Sequence, residues 1–198
     1  MMARLALLVG ICLCTSGFYA CSWNGASGSV GGVGNGNGNG SGGGNGGDNG
    51  SGSASTTGVT FDTNLTLRNS AGTVTASFVM GEPIRFDFQV KNRTTHAVQL
   101  QFGDAQIFDV VVFEQASTRP LWQWSQGHAF PQLPTTLTFE PGVTQTYSVL
   151  WDGVLSDGTQ LPVGSFYRAR AMLVPISSPT DPLSIEETTS ALVSFSVR

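Results

Sequence analysis

Beyond residue 21 the chain has no cysteine; its three cysteines lie at positions 12, 14 and 21. The rest of the chain can form neither a disulfide nor a thiolate metal site, so a folded part must stand on its core alone. Charge is scarce as well: Asp, Glu, Lys and Arg make up 11% of the 198 residues, without a run of either sign. Of 9 basic and 13 acidic residues, all but Arg4 and Asp48 fall within 59–198, where acid outnumbers base. Nucleic acid is therefore not an expected partner, because it calls for a basic patch. No apolar run reaches the roughly 20 residues that span a bilayer. No stretch carries the apolar spacing of an amphipathic helix.

Three unlike parts remain. Residues 1–20 read as a secretion signal: Arg4, the apolar run LALLVGICL, and a short stretch ending in Ala20. Such a segment takes no part in the fold. Cys21 comes next, in FYAC, which resembles the bacterial lipoprotein box of an aliphatic residue, two small residues and a cysteine. The resemblance implies acylation of Cys21 and a membrane-anchored envelope lipoprotein. Ser22 in place of aspartate favours the outer membrane; a secreted protein is the alternative. Residues 21–58 hold that cysteine and a Gly/Asn/Ser linker with no apolar periodicity, a flexible coil with an r.m.s. span of about 30–35 Å. Its glycines lack the flanking strand and helix that a phosphate-binding loop needs.

Residues 59–198 alternate with period two. In PIRFDFQVK, Ile84, Phe86, Phe88 and Val90 oppose Arg85, Asp87, Gln89 and Lys91. VTFDTNLTLR and VQLQF repeat the pattern, and weaker versions occur at 73–80, 136–140, 143–151, 166–173 and 190–197. IFDVVVF at 107–113 is apolar on both faces, as expected of a strand covered on both sides. Turns rich in Gly, Pro, Asn and Asp separate the runs. The pattern predicts an all-β, antiparallel sandwich of about 8–10 strands.

One stretch concentrates the unusual residues: LWQWSQGHAFPQ, 121–132. As a strand, PLWQW sets Trp122 and Trp124 on one face and Leu121, Gln123 and Ser125 on the other. Packing at the core or its rim is the expected role of the tryptophans; an exposed platform for sugar or peptide is the alternative. Asp109 lies in an otherwise apolar strand and needs partners if buried; Arg168, Arg170 or loop backbone donors are the candidates. His96 and His128 have no nucleophile paired with them in the sequence, so no catalytic residues are assigned and the domain is not expected to be an enzyme. Asp152 and Asp157 flank GVLS, a pattern of turn capping rather than of a metal site. No cofactor is implied. The sequons at Asn64 and Asn92 read as chance, with Asn92 a turn residue after a strand.

Five segments, in order, resemble the intracellular proteinase inhibitor (BsuPI) family. They are FDFQVKNRTTHAVQLQF, AQIFDVVVF with Phe108 and Asp109, LWQWSQGHAFPQ, LTFEPGVTQTYSVLWDG and DGTQLPVGSFYRARAML. The resemblance implies an immunoglobulin-like β-sandwich and a non-catalytic inhibitor or peptidase-binding module, with a protein partner such as a serine protease. The alternative function is a structural or adhesive module that binds an envelope protein or glycan. Sandwiches display binding residues on end loops. The expected partner-binding residues are Arg119 in loop 114–120, and Gln126, His128 and Phe130 in loop 125–134; loop 175–184 is the third candidate. The tail from Val174 to Arg198 is expected to add a loop and a strand.

Overall fold

A computed structural model describes residues 52–179 and 183–198. The signal segment, Cys21 and most of the linker lie outside the described residues. Eleven strands form among them. β1 (Ser53–Thr57), β2 (Phe61–Arg68), β4 (Ile84–Asn92) and β9 (Thr144–Trp151) make sheet A, in the order β1-β2-β4-β9. Sheet B runs β3-β11-β10-β6-β7, from β3 (Ser77–Phe78), β11 (Val193–Val197), β10 (Phe166–Leu173), β6 (Phe108–Glu114) and β7 (Pro120–Gln123). β5 (Val98–Phe102) and β8 (Thr135–Phe139) form a two-stranded ribbon.

The fold is the expected all-β sandwich, with three differences. Eleven strands exceed the expected eight to ten. β1 falls inside the segment read as linker, because an edge strand of Ser, Ala and Thr can ladder along β2 without an apolar stripe of its own. β11 pairs parallel to β3 at Ser196–Ser77 and Val197–Phe78, the one departure from antiparallel pairing among the described strands. β11 also realises the strand expected in the tail.

Alternation becomes burial as expected. Phe61, Leu65 and Leu67 of β2 and Ile84, Phe86, Phe88 and Val90 of β4 are shut from solvent. Facing them from sheet B are Val110 and Val112 of β6, Tyr167, Ala169 and Ala171 of β10, and Phe195 of β11. Rings close the open side of the sandwich, where the terminal strands β9 and β7 oppose one another. Trp122 stacks on Trp151 at 4.7 Å between centroids, and Phe108 on Tyr147 at 5.0 Å. Large rings suit this place, because each buries on the order of 150–250 Å².

The β4–β9 ladder continues beyond a corner as β5–β8. Asn92 sits at that corner with no exposure at all. Its Nδ2 donates to Phe139 O at 2.7 Å and His96 O at 2.9 Å, and its Oδ1 accepts from Thr94 N and Thr94 Oγ1, both at 2.8 Å. One amide thus fastens the end of β4 to the end of β8 and shapes the 93–97 turn. A buried acceptor left without its donor costs about 1–3 kcal/mol. Asn92→Ala is expected to destabilise the domain by about 2–4 kcal/mol in urea titration. A loss below about 1 kcal/mol would show that water or backbone replaces the amide.

On the outer face of sheet A, Asp87 accepts from Arg85 Nε at 2.7 Å, Arg68 Nε at 2.9 Å and Ser148 Oγ at 2.7 Å, a charged clasp across three strands. Burial pushes its carboxyl up, but the bonds from Arg85, Ser148 and Arg68 outweigh this and hold it below the usual aspartate range. A depressed carboxyl stabilises the fold fully above its unfolded value, about 3.9, and stops doing so as pH falls through the lower folded value. The thermal midpoint of Asp87→Asn should therefore trail the wild type by a constant gap above about pH 5, and the gap should close below about pH 4. A gap that is flat across the acid range would contradict the clasp.

Candidate functional site

The chain after β7 is fixed by a buried carboxylate. Asp109 is 2% exposed on the outer face of β6. Its Oδ2 accepts from Gln123 Nε2 at 2.6 Å, Ser125 Oγ at 2.6 Å and, longer, Gln106 Nε2 at 3.3 Å. Its Oδ1 accepts from Ser125 N at 3.0 Å and Val110 N at 2.9 Å. Hydrogen bonds to an ionised acceptor are about twice as strong as neutral ones. The expected arginines are not among the partners: Arg168 donates to Ser117 O at 2.9 Å instead. The loop backbone donor is, in Ser125 N. Neutral donors suffice because Gln123, the last residue of β7, and Ser125, in the turn that follows it, both reach the carboxylate.

From this anchor the loop runs through two successive turns, Gln126 N to Gln123 O and His128 N to Ser125 O, both 3.1 Å. Gly127 supplies the left-handed conformation between them, with φ of 85°, which a side chain would resist. Trp124 is half-buried and already covered by rings: Phe108 at 4.6 Å, His128 at 5.2 Å and Phe130 at 5.6 Å. Trp122 is likewise half-buried, against Trp151 and Phe86. The tryptophans are thus rim packing, and the loop folds over the second of them. Ser156 Oγ donates to Gln126 Oε1 at 2.8 Å, and Ala105 N to Pro131 O at 3.0 Å, so neighbouring loops brace it at both ends.

Of the expected partner-binding residues, the structure brings three together and separates one. Gln126 and His128 are exposed, and Phe130 is half-buried beside His128 at 6.2 Å. Arg119 precedes β7 while the other three come after it, so the length of the strand stands between them. A hairpin puts its turn at one end and its flanking segments at the other; Arg119 belongs to the turn, where its N–H donates to Ser117 Oγ at 3.0 Å. Leu133, 67% exposed, was not among the expected residues. No signal in the sequence set it apart from Phe130, the apolar residue of the same loop that packs inward on Trp124. Asp152 and Asp157 cap turns, accepting from Val154 N at 3.1 Å and Thr159 N at 2.9 Å. Hydrogen bonds from Thr159 hold the Asp157 carboxyl below its ordinary range. His96 lies in the 93–97 turn, apart from His128.

Comparison with known proteins bears chiefly on the family. Solved structures similar to this chain include a β-glucuronidase of Bacteroides uniformis, at 14% identity and TM-score 0.35, with 66% of this chain and 12% of that one covered. A β-glucosidase of Listeria innocua matches at 12% identity and TM-score 0.36, over 67% of this chain and 16% of that one. A β-glucosidase of Erythrobacter marinus matches at 14% identity and TM-score 0.34, over 70% and 16%. The chain thus spans a small fraction of each, and the likeness carries no argument about activity. No curated protein matches the chain. The family model described as intracellular proteinase inhibitor, BsuPI, matches residues 60–176, more than half of the chain and the whole stretch from β2 to the end of β10. On that match, and on the sandwich that residues 60–176 build, the chain belongs to the BsuPI intracellular proteinase inhibitor family.

Proposed function

We propose that the domain inhibits a peptidase by docking to it, without catalysis, and that loop 125–134 makes the contact. Family membership supports the class of activity. The loop is supported by one observation above others: Asp109 and the stacking of Trp124 on Phe108 hold its base, yet Gln126, His128 and Leu133 stay exposed. A loop ordered before binding loses less entropy on docking than a mobile one. Phe130 and Leu133 offer apolar contact, and Gln126 and His128 add polar groups. Arg119 forms no part of this surface. An adhesive or glycan-binding role draws less support, since Trp124 is already packed against three rings.

The test is inhibition of a panel of serine proteases by the protein. His128→Ala combined with Gln126→Ala is expected to weaken inhibition at least about tenfold, or 1.4 kcal/mol, with little change in thermal midpoint. Unchanged inhibition in that variant would remove the loop from the interface. Capture of a glycan or scaffold protein, with no protease inhibited, would favour adhesion.

The same reading places the domain on the cell envelope, acylated at Cys21 and held off the membrane by the linker. The lipoprotein-box resemblance of FYAC and the glycine-rich composition after it support this. Cys21→Ala is expected to move the protein from the membrane to the soluble fraction. Retention after a carbonate wash would rule the lipid anchor out.

A further inference from the structure

Sheet A ends at β9, whose sequence TQTYSVLW contains no charge, proline or glycine. Its pairing with β4 decides which backbone groups are used. Asn92 N donates to Val143 O at 3.2 Å, and the ladder then keeps register from Lys91–Thr144 to Ile84–Trp151. In an antiparallel ladder every second residue bonds toward the partner and the others bond away. Gln145, Tyr147, Val149 and Trp151 therefore bond to β4, while the N–H and C=O groups of Thr144, Thr146, Ser148 and Leu150 point outward. Among the described strands none pairs with that edge. Natural edges are usually blunted by charge, proline or a bulge. β9 has no charge or proline and its register shows no shift, and Leu150 stands 70% exposed on it.

We propose that β9 is a self-association edge, on which two copies of the chain pair β9 antiparallel to β9 and join two four-stranded sheets into one of eight. The occupant is a second copy because the strand is its own complement. About a two-fold axis at Tyr147, Thr146 lies opposite Ser148 and Thr144 opposite Leu150 of the other copy. Every outward-bonding residue then meets an outward-bonding residue. Cross-strand Thr–Ser pairs are favourable, Leu150 gains cover, and an uncharged strand does not repel itself. Such an interface is isologous and closes at the dimer. The half-buried rings of Trp122 and Tyr147 stand along the same side of the sandwich and would lose further exposure. None of this rests on the peptidase reading.

The test is sedimentation velocity of the full chain in mild detergent, up to about 100 µM, a range that detects micromolar self-association. The wild type is expected to sediment as a dimer. Thr146→Pro deletes only an outward N–H and leaves the β4 ladder intact, as proline does on the open side of an edge strand. It should raise the dissociation constant at least about tenfold while the thermal midpoint holds. Thr146→Lys, which sets two like charges beside the axis, should do the same and covers the case in which proline disturbs the fold. Ser55→Pro, at an outward-bonding position of β1, should leave the dimer intact. A monomer throughout the range, or a dimer that survives both substitutions at Thr146, overturns the proposal.

Discussion

A carboxylate buried in a sheet must be satisfied, and the way Asp109 is satisfied orders much of what surrounds it. Its oxygens reach along the outer face of sheet B to Gln123 and Ser125. That bond set fixes where β7 ends and which way the chain leaves it. Trp124, between the two, is thereby turned inward onto Phe108, and His128 and Phe130 fold back over it. Removing one of these donors leaves a buried acceptor unsatisfied, at a cost of about 1–3 kcal/mol.

Two further constraints complete the scaffold, and neither is covalent. The Asn92 amide holds the corner at which the long β4–β9 ladder passes into β5–β8. Stacked rings fill the gap between terminal strands β9 and β7, where a sandwich would otherwise open to water. The tail closes the far side. Glu187 accepts from Val59 N and Thr60 N, both at 2.8 Å, and β11 inserts between β3 and β10. β11 thus belongs to the core of sheet B although it lies beyond the stretch that the family model matches.

Where apolar residues alternate strictly, as in Ile84–Val90, the sequence alone predicts the strand and its buried face. β1 was not legible, because Ser53–Thr57 has no apolar stripe and gains its structure from β2. The role of Asp109 was legible only by halves. Charge logic points to Arg168 and Arg170, whereas strand parity puts Gln123 and Ser125 together on the face opposite the tryptophans, and parity decides the contact. Arg119 shows the reverse fault: nearness in sequence suggests one surface with His128, but four residues of extended strand carry them apart. Phe130 and His128 could be named from their residue types, but their packing on Trp124 required the fold of the loop.

Loop 125–134 is held from below by Asp109, and amide hydrogen exchange measures that hold most directly. In the wild type, the amide of Ser125 should exchange far more slowly than in an unfolded chain. In Asp109→Asn, exchange across residues 124–128 should speed up at least about tenfold, while amides of β4 keep their protection. If these loop amides exchange in the wild type as fast as in an unfolded peptide, the loop is not preordered, and the docking role built on its order fails with it.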